Sequence, residues 1–383
     1  MLALRWISGT GGVVVVGLTW LSMINSLIVP RRSASLLQKF IQRLNSKFFT
    51  WLAGRFDDYF VKDRILAYFG PVGLLVLLIT WLLLFFLGYT LLIWAFAAGS
   101  FGESFRESGS SMLTLGIAAR GGAGPTIVYF IAGATGLASV ALLIAYLPAL
   151  YGSFNRRETL VTMLQSRAGV PAWGPEILAR HLLVGLQDDL PNFYAQWEAW
   201  AADVAESHTT YPILIFFRSP HPLRSWALGL LSVLDSAALY LALAPSKAPT
   251  QARLCLRMGF TCLRDVADAI KIDYDPDPFP DDQIELTFEE FHGGVARLET
   301  SGFPVERSAE EAWADFHGWR VNYEALAYAI CDVVVAPPGP WSGERSHLPG
   351  MAFVPTRPPD RRPDEPHDAQ GPKTDKLTWR LRG

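Results

Sequence analysis

The stretch Pro71–Ala98, PVGLLVLLITWLLLFFLGYTLLIWAFAA, runs for 28 residues without a charge. As a helix rising 1.5 Å per residue it is longer than the about 30 Å of hydrocarbon in a bilayer. A second uncharged run, Pro125–Tyr151, follows and is closed at once by Arg156 and Arg157. Lys62 and Arg64 precede the first run, so positive charge flanks the pair on one side only. The positive-inside rule then predicts that both ends of this hairpin are cytoplasmic and that residues 99–124 face outward.

Upstream, Trp6–Val29 is a third apolar run, interrupted only by Ser, Thr, Gly and Asn25. It is predicted to be a retained span with its N-terminus outside. A cleaved signal peptide is the alternative, but the run is too long and its strong positive charge follows instead of preceding. From Arg31 to Leu66 eight basic residues face three acidic ones. Leu36, Leu37, Phe40, Ile41, Leu44, Phe48 and Leu52 recur there at helical spacing, with Lys39, Arg43 and Lys47 on another face. That pattern fits an amphipathic helix on the inner membrane surface or a solvated linker helix, and both readings are cytoplasmic.

Whole-chain composition averages two unlike halves. Charged residues make 18% of the 383, below the usual share of about 25%, and the apolar excess lies before Tyr151. The net charge of −3 gives no reason to expect nucleic acid. Cys255, Cys262 and Cys331 are too few and scattered for a disulfide framework or zinc site and read as small core residues.

The connection Gly99–Ala118, GSFGESFRESGSSMLTLGIA, is too long for a turn and too apolar for a free loop. It reads as a short helix from about Phe101, with Ser110 and Ser111 near its end, then a hydroxyl-rich strand. Non-helical backbone at membrane depth survives only when buried in protein or lining water, which makes this a candidate re-entrant loop. An ordinary polar outer loop is the alternative. A strand of this composition can aim carbonyl oxygens at a dehydrated cation, with Gly116 supplying a backbone angle that side chains resist.

The segment Ser111–Ala118, SMLTLGIA, resembles the Thr-x-x-Thr-Val-Gly-Tyr-Gly filter of two-helix potassium channels, matching at Thr114, at aliphatic Leu115 and at Gly116. It departs at Ile117, where the family has an aromatic, and at Ala118, where it has a second glycine. Leu143–Glu158, LIAYLPALYGSFNRRE, also resembles the inner-helix exit of a bacterial potassium-channel-like subgroup. The likeness covers about residues 65–160. It implies filter carbonyls from Thr114, Leu115, Gly116 and Ile117, with the end of the Phe101–Leu113 helix directed at the ion cavity. Because there is one loop per chain and a pore of this kind takes four, it also implies a homotetramer. Gly133 and Gly136 are then candidate gating hinges, and Pro148 a candidate kink.

Beyond Glu158 the pattern is helical. Phe193, Trp197, Trp200 and Val204 form one stripe; Thr287-x-x-Glu290 and Ser308-x-x-Glu311 are capping boxes; Trp313, Phe316, Tyr323, Ala327 and Ile330 mark a last buried face. Trp226–Ala244 is apolar enough for a fourth span, yet Asp235 at its centre would cost about 3 kcal/mol in lipid. A buried core helix is preferred, with Asp235 paired to Arg253, Arg257 or Arg264. Nucleotide-binding glycine loops, zinc-protease and nucleophile-elbow motifs are absent, so an enzyme is not expected. Asp273, Asp275, Asp277, Asp281 and Asp282 faintly resemble a calcium loop, but Pro278 stands where the turning glycine belongs, and a solvated acidic loop is preferred. His181, His208, His221, His292 and His317 are dispersed and carry no ligand pattern.

The expected fold is an all-α polytopic membrane protein with three transmembrane helices, a re-entrant pore loop and a helical cytoplasmic domain. Its parts are an N-terminal span (1–30), an amphipathic linker (31–68), a pore module (69–157), the helical domain (158–335) and a disordered proline-rich tail (336–383) holding 10 of the 26 prolines. The expected function is a homotetrameric cation channel of the inner (plasma) membrane, gated or assembled through its cytoplasmic domain. It would have potassium as permeant ion, no cofactor, and the bilayer as partner. A membrane-anchored helical scaffold or signalling adaptor without a pore is the alternative.

Overall fold

Thirteen helices, in a computed structural model that describes residues 2–29, 36–97 and 99–347, make the chain all-α, with no strand among the described residues. They are α1 (Leu2–Leu27), α2 (Leu36–Ala53), α3 (Tyr59–Leu66), α4 (Phe69–Phe96), α5 (Phe101–Met112), α6 (Ala123–Ala168) and α7 (Gly174–Leu183), then α8 (Leu190–Thr210), α9 (Trp226–Leu243), α10 (Thr250–Ile270), α11 (Phe288–Thr300), α12 (Ala309–Arg320) and α13 (Glu324–Val333). Arg31, Arg32 and the chain beyond His347 lie outside the described residues.

The N-terminal unit is built on α4. α1 runs along it where Gly12 and Gly88 meet: a Cβ on Gly12 would stand 2.8 Å from the Gly88 carbonyl oxygen, and one on Gly88 2.7 Å from Val16. Small residues let two backbones approach and so maximise dispersion contacts where no hydrophobic drive exists. Polar groups inside this unit pair across helices: Trp81 Nε1 donates to Ser22 Oγ (3.1 Å), Ser8 Oγ to the Leu91 carbonyl (2.9 Å), and the Tyr89 and Thr135 hydroxyls lie 2.6 Å apart. Its outside is apolar, with Trp6, Ile7, Val13, Leu18, Leu83, Phe130 and Leu137 all exposed. Patches of that extent need lipid or another chain to cover them.

α2 splits the apolar set that the sequence put on one face. Ile41, Phe49 and Ala53 turn inward with Asn45, whose Nδ2 donates to the Phe69 carbonyl (3.0 Å). Leu36, Phe40, Leu44, Phe48 and Trp51 form an exposed ridge instead. Two helical periods, one for protein and one for the surroundings, therefore overlap in this segment.

The C-terminal unit surrounds α9. Ser225 caps it, and 94% of its most apolar window is buried by the chain itself, against 28% for α1. A helix apolar on all sides is stable in water only inside a core, and here α7, α8, α10, α12 and α13 provide it. Asp235 is buried and paired, but with Arg320, 85 residues away (Nη1 to Oδ1, 2.5 Å), and with the Tyr323 hydroxyl (2.8 Å). The Arg253/Arg257/Arg264 cluster is not its partner: α10 turns Cys255, Leu256, Gly259, Cys262 and Leu263 inward, and Arg253 lies over the Trp319 ring.

Arg320 spends its remaining N–H groups on Glu324 (2.8 Å), the Tyr328 hydroxyl (2.8 Å) and the Trp341 carbonyl (2.9 Å). That last bond corrects the expected start of the tail. Ala336, Trp341 and Ser342 are buried, and Gly343–His347 forms a 3-10 turn. The rest of the expected tail, 348–383, lies outside the described residues. All three cysteines are buried and free, as small core residues would be.

Two arginines join the units. Arg157 of α6 is wholly buried and donates to the Leu214 and Phe217 carbonyls (2.7 and 2.6 Å), with Glu158 and His208 beside it. Burial, then the neighbouring guanidinium, holds His208 well below the usual imidazole range, so it stays neutral. Arg218 binds Asp63 (2.5 Å) and the Tyr59 hydroxyl (2.7 Å) of α3 and the Val334 and Val335 carbonyls.

Candidate pore-loop site

Between α5 and α6 the chain makes the loop that the sequence singles out. α5 opens on a full capping box: Ser100 Oγ accepts from the Glu103 amide while Glu103 accepts from the Ser100 amide. It ends in a left-handed cap. The Thr114 amide donates to the Ser111 carbonyl (3.0 Å) and the Leu115 amide to the Ser110 carbonyl (2.8 Å), the bonding of a Schellman motif. Such a cap normally takes glycine, yet Thr114 holds φ 55°, an outlier for a β-branched residue that costs about 1–2 kcal/mol. Strain of this kind concentrates at functional sites.

The cap fixes where the carbonyls go. The amides of Thr114, Leu115 and Gly116 all bond back to α5, the last to Ser110 at 3.3 Å. In a planar trans peptide C=O is opposed to N–H, so the Leu113, Thr114 and Leu115 carbonyls point away from α5. The Leu113 oxygen accepts the Thr114 hydroxyl (2.8 Å), and Gly116 follows at φ 65° with open space where a Cβ would be. Ser110 Oγ accepts the Ala118 amide at 3.0 Å. Ser110 therefore holds the middle of the segment Thr114–Ile117 and the residue after it, and Ser111 holds its start. All four residues Thr114, Leu115, Gly116 and Ile117 are exposed on the single chain.

A second clamp holds the return leg. Arg120 binds Glu107 through Nε (2.5 Å) and Nη2 (2.8 Å), and also reaches Ser104 Oγ (2.9 Å) and Glu103 (3.3 Å). The Tyr129 hydroxyl of α6 donates to the same Glu107 carboxylate (2.7 Å). Bidentate arginine–carboxylate pairs are rigid as well as strong. Gly99 sits beside it at φ 148°, a backbone angle that side chains resist, and a Cβ there would also crowd Arg120 Nη1. Sequence reasoning missed this set; the signal was Glu103 and Glu107 one helical turn apart, with a single arginine ahead of α6.

The glycines expected as hinges, Gly133 and Gly136, lie against α5. α6 runs unbroken from Ala123 to Ala168, through Pro148. Gly136 lies against α5, where a Cβ would come within 2.0 Å of the Met112 carbonyl oxygen, and Gly133 would come within 3.3 Å of that of Ser111. They let the end of α5 seat on α6. Within the chain, the last carbonyls of α5 thus meet loop amides and the glycine face of α6.

Elsewhere, the aspartates near 275 cap their own turn: Asp275 accepts from the Asp277 amide and Asp282 from that of Phe279. No group of three metal-ligating side chains exists among the described residues. No protein-family model, curated protein or solved structure matches the chain.

Proposed function

We propose that the chain is a homotetrameric cation channel, with potassium as permeant ion and Thr114, Leu115, Gly116 and Ile117 as its filter. In this reading α1, α4 and the first part of α6 cross the membrane, the loop around α5 re-enters from outside, and the C-terminal unit is cytoplasmic. The one-sided placement of Lys62, Arg64, Arg156 and Arg157 supports the orientation. The observation that carries the proposal is Thr114, strained into the left-handed region so that consecutive carbonyls turn outward from α5. Four such loops around an axis would replace an ion's water with carbonyl oxygens, and would cover Leu115 and Ile117. The two clamps, Ser110 and Arg120–Glu107, keep the loop rigid enough for that task.

A membrane-anchored scaffold is favoured by one fact: the same hydrogen bonds also end ordinary helices. Reconstituted protein separates the readings by ion flux under opposed potassium and sodium gradients. The variant carrying Gly116→Ala and Thr114→Ala should still assemble, since both residues are exposed and only a local backbone angle is strained, and should lose or scramble conduction. Flux that is absent in the wild type, or unchanged in the variant, removes the channel and leaves the scaffold.

A further inference from the structure

The seam between α2 and the C-terminal unit holds an open cavity of about 290 Å³. Lys39, Gln42, Arg43 and Ser46 of α2 form one wall, the end of α10 from Asp268 to Lys271 forms the other, and Pro212 and Phe216 lie between them. Three of these residues are cations. In a protein whose Arg157, Arg180, Arg218 and Arg320 are all paired with carboxylates, Lys39, Arg43 and Lys271 form no ion pair with a described residue. The side chains of Gln42 and Ser46 make no hydrogen bond to a described residue either. The one acid in the wall, Asp268, accepts the Tyr274 hydroxyl at 3.3 Å. Lys271 ends α10 in the left-handed region, at φ 63°, where a residue with a long side chain is uncommon.

With Asp268 as the one carboxylate in the lining, the three cations leave the wall with a net charge of +2 (three minus one), which attracts an anion. The helical repeat says at what level that anion would lie. Lys39 and Arg43 sit about a quarter-turn from the exposed ridge of Leu36, Phe40, Leu44, Phe48 and Trp51. A helix with that ridge in the acyl region carries those two cations at headgroup depth. We propose that this cavity binds a phosphate group, with Lys39, Arg43 and Lys271 as its counter-charges and Gln42 and Ser46 as neutral donors. The ridge beside it makes an anionic phospholipid the favoured source, with a soluble phosphate compound as the other. The inference does not depend on a conducting pore.

The test is thermal unfolding of the full detergent-solubilised chain, titrated separately with dioctanoyl phosphatidylglycerol, dioctanoyl phosphatidylcholine and inorganic phosphate. A midpoint raised by phosphatidylglycerol above phosphatidylcholine supports a lipid headgroup, and one raised by inorganic phosphate supports a soluble ligand. Each of Lys39→Gln, Arg43→Gln and Lys271→Gln should weaken the response about five-fold, following about 1 kcal/mol per cation. These side chains have no partner to lose, so the variants should fold. No response to any anionic probe, or a response unchanged in the triple variant, overturns the proposal.

Discussion

α1 and α9 are equally apolar over their most apolar windows, yet that window is 28% buried by the chain in α1 and 94% in α9. Apolar content alone therefore does not say which solvent a helix will meet. The difference lies in what interrupts the apolar residues. α1 carries small hydroxyls and glycines that are satisfied locally or allow close packing, such as Thr19 on the Val15 carbonyl and Gly12 against α4. α9 carries Asp235, whose only economical solution is an arginine from another part of a folded core.

Breaking that pair should have the largest effect. Asp235→Ala leaves Arg320 buried without its anion and should destabilise the C-terminal unit by about 3–5 kcal/mol, read by denaturant titration of tryptophan fluorescence. The pair also sets a pH dependence. Burial, against the attraction of Arg320, pushes the Asp235 carboxyl up to about 6, above its unfolded value of about 3.9. The folded state then holds a proton that the unfolded chain has released. Its contribution is complete below about pH 3.9 and is lost as pH rises through about 6. The stability difference between wild type and Asp235→Asn should follow this course, changing by about 3 kcal/mol across the window at 1.36 kcal/mol per pH unit. A difference that is flat over that range would mean the carboxyl is not buried as described.

The same substitution in the two helices sharpens the contrast further. Leu231, 1% exposed in α9, should cost about 2–5 kcal/mol on truncation to Ala, whereas Leu18, 61% exposed in α1, should cost within about 0.5 kcal/mol. Equal losses in thermal melts would erase the distinction between the units. Smaller again is the capping box that the units share in kind. Ser308→Ala in the C-terminal unit should cost about 1 kcal/mol by removing the acceptor for the Glu311 amide at 3.3 Å. Chemical denaturation of that variant checks it.

Much of this was legible in the sequence because it is local. The capping boxes at Thr287 and Ser308 need only four residues each, and both close as read. The burial of Asp235 was legible because a charge inside nineteen apolar residues has few solutions. Its partner was not. Arg253, Arg257 and Arg264 are nearer in sequence, but Arg320 is the one that the packing of α12 across α9 brings inward. The loop was legible as a composition: a short helix from Phe101 that carries Ser110 near its end, then non-helical chain with Gly116 at φ 65°. The Glu107–Arg120–Tyr129 clamp was not, since it depends on how far α5 tilts onto α6, which Gly133 and Gly136 decide. Trp341 shows the opposite failure, in which proline-rich composition concealed an aromatic anchor whose carbonyl belongs to the Arg320 network.

The unbroken course of α6 has a mechanical meaning. Gly136, where the loop's helix is seated, and Arg157, where the C-terminal unit is fastened, lie 21 residues apart on one helix, about 32 Å, with Pro148 between them. Pro148 has no N–H to give to the carbonyl four residues before it, so it is the one point on that path where the helix lacks a backbone bond. The Pro212–Phe216 turn, through the Leu214 and Phe217 carbonyls on Arg157, and the Thr114 segment, through the end of α5 on Gly136, are thus attached to one and the same helix.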